Sequence, residues 1–370
     1  MTRLKLFHAA LLSVLVIWAT GITTQVFGDE ASWSKDLKTV GYPTRLTENF
    51  SKTLGSPSTK LAFPDLEHVV MTFISADPGS PSEQAGRPDS FSLRLHVVVL
   101  ESKSGEVDTK RDWRTPNPND GVIAGHDGKI VVRTENKLTL YDTRLEALKG
   151  TDTKRSIRDF SSPSGRFLLL EFGSGIRAQF GWMNTETLEI LHSFSDSLDP
   201  QTISDTKVVG WRLPLGRPYE LVIRTPDDAG QVINPSGAPG PVAFVNEDTL
   251  ATGSGYSPLQ LIRTDGTLIE SIAPRSHDFF SRVTPSADGH RFAFTGSTIS
   301  NATEILSPRQ TWEHVQRVNV YDLSTHTLVG DIKVNHSARN RDFPLALSSN
   351  GTMLVFLDGE CLKLYRLTPD

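Results

Sequence analysis

One pattern constrains this chain more than any other: a short apolar run, ending in a large residue and then a polar one, recurs seven times. The copies read LHVVVLES, LTLYDT, QFGWMNT, YELVIRT, LQLIRT, VNVYDL and LKLYRL. The residue before the polar position is Leu100, Tyr141, Met183, Ile223, Ile262, Tyr321 and Tyr365, giving steps of 41, 42, 40, 39, 59 and 44. Most copies are followed by a turn and a second short strand, as in NTETLEIL, RTDGTLIESI and LSTHTLVGDI. Upstream of the runs a strand–turn–strand element also repeats: LAFPDLEHVVMTF, DFSSPSGRFLLL, VAFVNEDTLAT, RVTPSADGHRFAF and LALSSNGTMLVF. Its turns carry Gly165, Gly289 and Gly351 just after Ser, Asp or Asn, with Asp127-Gly128 in the same slot of the second unit. That chemistry serves a tight turn that needs positive φ.

Each unit of about 40 residues therefore holds four strands, A to D. A period of ~40–45 residues with four strands predicts a propeller blade. Such a sheet cannot bury both faces alone, and radial packing lets each blade cover its neighbour. The expectation is all-β: a seven-bladed β-propeller of four-stranded antiparallel blades spanning 57–370. The units resemble those of WD-repeat β-propellers. LYDT and VYDL stand where that family has Trp-Asp at the end of strand C, and SPSGRFLLL and SADGHRFAF are similar to its A–B corner. No unit opens on Gly-His, and none has a true Trp-Asp. The resemblance implies a binding scaffold. The seventh unit stops soon after strand C, so an upstream segment within 29–56 must complete it. Leu37–Leu46 (LKTVGYPTRL) is the predicted closing strand.

The first residues, MTRLKLFHAALLSVLVIWATG, place Arg3 and Lys5 before an apolar stretch from Leu6 to Trp18. This is the layout of a secretory signal within 1–28, cut after Gly21 or Gly28. An uncleaved anchor is the alternative, although the run falls short of the ~20 residues a span needs. No second stretch is long enough to span a membrane, so an extracytoplasmic chain, periplasmic or secreted, is expected. Net charge is −5, which argues against nucleic acid as a partner. Cys361 is the single cysteine, so no internal disulfide or thiolate cluster can form, and a buried structural thiol is expected.

No P-loop, G-x-S-x-G, H-E-x-x-H, G-x-G-x-x-G or EF-hand loop is present. GSGYSP at 253–258 reads as a turn, and His126-Asp127 as a polar turn pair. The strongest candidates for binding are His277 and Asp278 (in RSHDFF) and Arg339, Arg341 and Asp342 (in HSARNRDF). They precede strand A of units six and seven, where a propeller linker nears the channel mouth, and could hold an anion or a polar peptide. Ordinary solvated loop charge is the alternative. Two long B–C inserts, 76–90 and 296–314, would emerge on one face and could frame a binding surface; tolerated surface insertions are the simpler explanation. No catalytic residue, metal site or cofactor is expected. Two functions stay open. One is a monomeric, non-catalytic scaffold that binds a protein or peptide. The other is a propeller hydrolase, acting on lactones or glycans, with its site at the channel mouth.

Overall fold

The computed structural model describes residues 30–42, 59–76, 93–153, 156–173, 178–214, 218–228, 230–233, 240–253, 258–272, 278–299, 314–334 and 344–367. Its strands form seven separate four-stranded antiparallel sheets. Six are contiguous in sequence: blade 1 (60–115), blade 2 (121–152), blade 3 (156–196), blade 4 (199–233), blade 5 (242–272) and blade 6 (278–334). The A strands of neighbouring blades touch one another all the way round, blade 7 returning to blade 1, so they form the wall of a closed ring.

Blade 7 differs. Leu345–Leu347, Met353–Asp358 and Cys361–Arg366 supply strands A to C, and Trp33–Asp36 supplies strand D. The register runs from Trp33↔Leu364 to Asp36↔Cys361. The closing strand is thus Trp33–Asp36, not Leu37–Leu46, and one strand of the ring comes from before residue 57. Leu37–Val40 instead forms a 3-10 turn. Asp36 ends the strand because its carboxylate accepts the Lys38 N–H at 2.9 Å, and Gly41 at φ 84° closes the turn. Leu37 and Val40 drop into the seam between blades 7 and 1.

The core is seven seams rather than one mass. Each of seven apolar clusters joins one pair of neighbouring blades. Strand alternation makes this possible: successive side chains face opposite neighbours. Leu168 and Leu170 pack against blade 2, whereas Leu169 packs against blade 4. Each buried leucine contributes about 2 kcal/mol.

All seven repeated residues lie on strand C. In five blades the C–D ladder carries a register shift at that residue: Leu100, Tyr141, Met183, Ile262 and Tyr321. A bulge there increases local twist. The A–B turns repeat down to single atoms. Ser162, Ser286 and Ser348 are all buried, and each hydroxyl accepts the backbone N–H five residues on, at 2.9–3.2 Å. Gly165, Gly289 and Gly351 take φ of 74°, 70° and 66°, as their turns require. Gly165 has a second reason to be glycine: a Cβ there would lie 2.5 Å from the Gly125 carbonyl oxygen of blade 2.

Cys361 is only partly buried, contrary to expectation, because it stands opposite Asp36 near the outer end of blade 7. The bulk of both B–C inserts, 77–92 and 300–313, lies outside the described residues. The strands flanking each are nine residues long and paired throughout: Ala76↔Leu93 ends one hairpin and Ile299↔His314 the other.

Candidate functional site: the central channel and its two ends

Strand A is the part of each unit that reaches the axis, so its side chains decide what the channel can do. The channel holds a cavity of about 280 Å³. Its wall includes Ala62, Val122, Ala124, Ser161, Ala243 and Ala346. Small residues suit this position because seven strands converge there. Arg282 is the charged side chain among the residues lining this cavity.

The end formed by the A–B turns opens into a second space of about 570 Å³, edged by Asp65, Asp127, Asp205, Asp288 and Asn350. These carboxylates are engaged locally. Asp65 accepts the Glu67 and His68 backbone N–H groups and lies 2.9 Å from His68 Nδ1. Asp205 accepts the Ser164 hydroxyl from the neighbouring blade at 2.5 Å, and Asp288 accepts the Ser286 hydroxyl at 2.6 Å. In the same row Glu247 of blade 5 accepts three donors from blade 4: Ser204 Oγ, the Asp205 N–H and Thr206 Oγ1. The acidic rim therefore caps turns and links one turn to the next.

His126 belongs to this network and is more than a polar turn residue. Its side chain is buried, with Nε2 2.8 Å from the Thr185 hydroxyl of blade 3. That hydroxyl donates to the Gly165 carbonyl at 2.9 Å. Burial lowers the His126 pKa more than neighbouring Asp127 raises it.

The opposite end carries buried charge between blades 1, 2 and 3. Asp120 is fully buried and bonded to the Thr115 hydroxyl and, at 2.7 Å, to the Glu135 N–H. Arg133 pairs with Asp159, lies 3.6 Å from Asp120, and donates to the Asn119 carbonyl at 2.8 Å. Lys60 donates to the same carbonyl at 3.0 Å. Burial pushes Asp120 above the ordinary carboxylate range and Lys60 below the ordinary lysine value. Two cations and two carboxylates balance, which is the condition for burying charge at all. A similar clamp lies beside strand A of blade 4, where Asp196 receives Arg224 at 2.6 Å and Arg212 at 3.0 Å. Burial alone would raise Asp196; the two guanidinium groups outweigh it and hold the carboxyl low.

Of the residues expected at the mouth, His277, Arg339, Arg341 and Asp342 lie outside the described residues, as does most of GSGYSP. Asp278 opens strand A of blade 6, paired with Thr298 at the end of the channel opposite the turns. Among the described residues no group of three or more His, Cys, Asp or Glu could hold a metal ion. Sequence reasoning missed the Lys60–Asp120–Arg133–Asp159 cluster. Its members sit in three blades and share no spacing.

No family model matches this sequence, and no curated protein matches it. Solved structures similar to it include the C-terminal WD40 domain of Sif2, at 12% identity and a TM-score of 0.45, covering 85% of this chain and 98% of that one. Kluyveromyces lactis Hsv2 is 13% identical with a TM-score of 0.46, covering 82% and 91%. The β-propeller domain of Cps50 (Swd1) from Myceliophteria thermophila is 11% identical with a TM-score of 0.37, covering 67% and 96%.

Proposed function

We propose that this propeller is a scaffold that works outside the cytoplasm and binds a protein or peptide on the D–A and B–C face, with no chemistry in its channel. The channel wall carries the reading: among the described residues lining its cavity, Ala62, Ala124, Ala243 and Ala346 stand with Ser161, Thr202, Thr284 and Arg282 as polar members, and there is no His, Asp, Glu or Cys. The carboxylates at the turn end are engaged in capping and linking turns. The charged groups at the other end, from Lys60 to Asp159, are matched to one another. His277, Asp278, Arg339, Arg341 and Asp342 are the polar contact set in this reading, and the two B–C inserts frame it. Export rests on the arrangement of Arg3, Lys5 and the Leu6–Trp18 run. No helix among the described residues is long and apolar enough to cross a membrane.

The test is capture from the native extracytoplasmic fraction by the mature ring. A variant carrying H277A, D278A, R339A, R341A and D342A should keep its melting temperature and lose the retained partner. Equal retention by the variant would remove these residues from the reading. No specific retention by either protein would remove the scaffold.

A further inference from the structure

Blade 1 holds a chain of hydrogen bonds that the scaffold reading does not use. Ser75 on strand B, His96 on strand C and Asp112 on strand D share one face of the sheet, because His96 stands opposite both Phe73 and Asp112, and Ser75 is two residues beyond Phe73. Ser75 Oγ lies 2.8 Å from His96 Nε2, and His96 Nδ1 lies 2.8 Å from Asp112 Oδ1. Phe73 stacks on the imidazole, centroids 4.6 Å apart at 17°. The ring is thus fixed in position and 93% removed from solvent, since His96 is 7% exposed.

The direction of each bond follows from proton counting. A carboxylate only accepts, so Nδ1 carries the hydrogen. Nε2 of the neutral ring then has a lone pair, and Ser75 donates to it. His126 provides the contrast within the same molecule. There the Thr185 hydroxyl proton is committed to Gly165 O, so Nε2 must donate to the hydroxyl oxygen. One histidine is arranged to receive a hydroxyl proton and the other is not. The charged groups around His96 are Asp112, Lys110 and Arg94. Burial lowers its pKa more than Asp112 raises it, which keeps the ring neutral near pH 7.

We propose that Ser75, His96 and Asp112 form a nucleophilic site that hydrolyses carboxylic esters. Ser75 Oγ attacks the ester carbonyl carbon while its proton passes to His96 Nε2. The C–O bond to the alcohol breaks, and the leaving alkoxide takes that proton. Water then attacks the acyl-serine, giving a proton to His96. The acid leaves as Ser75 Oγ recovers the proton, so one ester and one water yield one acid and one alcohol. Asp112 holds the imidazole in the required tautomer.

The experiment is labelling of the purified full-length mature protein with a fluorophosphonate, with peptide mass mapping and a melting curve for every variant. Wild type should acquire one adduct, on Ser75, at a rate that rises with pH through a midpoint below the ordinary histidine range. S75A should melt like wild type and take no label. H96Q and D112N should label at least about 100-fold more slowly. D112N keeps the test sound if H96Q fails to fold, because Asp112 is one-third exposed. Absence of an adduct on Ser75 in the folded wild type would overturn the proposal. So would labelling of D112N at the wild-type rate, for then the three residues only tie strands together.

Discussion

Blades 3 and 7 have the same four-stranded sheet but obtain it differently. Blade 3 is one stretch of chain, 156–196, and each of its strands pairs with a neighbour close in sequence. Blade 7 takes strands A to C from near the C-terminus and strand D from Trp33–Asp36. In blade 3 a local hairpin completes the sheet. In blade 7 completion also closes the ring, and the closing strand reaches the next blade. Trp33 Nε1 donates to Ser102 O of blade 1 at 2.8 Å, its ring leaves no room for a Cβ on Gly105, and Lys110 of blade 1 donates to Val40 O at 2.8 Å. The 33–40 segment thus fastens blade 7 to blade 1.

Removing residues 30–42 should have the largest effect. It deletes strand D of blade 7 and empties the sites of Leu37 and Val40, so the midpoint of thermal unfolding should fall by roughly 10 °C or more. An unchanged midpoint would mean that blade 7 is as self-sufficient as blade 3. The turn glycines come next. At Gly165 an added Cβ meets a backbone carbonyl of blade 2 at 2.5 Å, whereas at Gly351 it meets the Arg291 side chain at 2.9 Å. Both substitutions also suffer from positive φ. G165A should cost about 3 kcal/mol and G351A about 1–2 kcal/mol by chemical denaturation, since the 2.5 Å approach to a carbonyl is the tighter clash than the 2.9 Å approach to the Arg291 Cβ. Equal costs would mean that φ strain alone decides.

A smaller effect concerns the seam between blades 6 and 7. Burial would raise Asp322, but Ser324 Oγ at 2.6 Å and Arg291 Nε at 2.8 Å hold it down at about 2. Arg291 also donates to Gly351 O of blade 7 at 3.2 Å. A depressed carboxylate stabilises the fold above its unfolded pKa, and that contribution is lost as pH falls from about 4 toward 2. D322N should therefore lower stability by about 1–2 kcal/mol at pH 7 and flatten the acid limb over that window. The smallest effect belongs to Lys38 and Glu360, an exposed pair 2.7 Å apart beside the closing strand. K38A should leave the melting temperature within error, since pairs so open to water contribute little.

The ring was legible in the sequence because seven units repeat one solution, and repetition amplifies a weak signal. Tyr141, Met183 and Tyr321 recur at one place on strand C, and Gly165, Gly289 and Gly351 mark one turn. The serine three residues before each of those glycines was equally visible, and its buried hydrogen bond gives it a reason. The closing strand was harder. Leu37 and Val40 are apolar and buried, so they looked like strand residues, but Asp36 and Gly41 bend the chain there, and the strand itself, Trp33–Asp36, alternates half-buried with exposed side chains. Ser75, His96 and Asp112 left no sequence motif because three strands bring them together, each from a different distance along the chain. His126 was misjudged as a turn residue because burial depends on the neighbouring blade.

The closure can be tested with one substitution. Asp36 stands opposite the lone cysteine, Cys361, and the next pair outward is bonded through Leu37 N–H to Glu360 O at 2.9 Å. Asp36 and Cys361 are then a pair without mutual backbone bonds, whose Cα atoms stand about 4.5 Å apart, within the span of a disulfide. D36C should oxidise to a monomer 2 Da lighter, with no free thiol and a raised melting temperature that reductant reverses. Two persistently free thiols, or disulfide-linked dimers, would show that Trp33–Asp36 does not close its own ring.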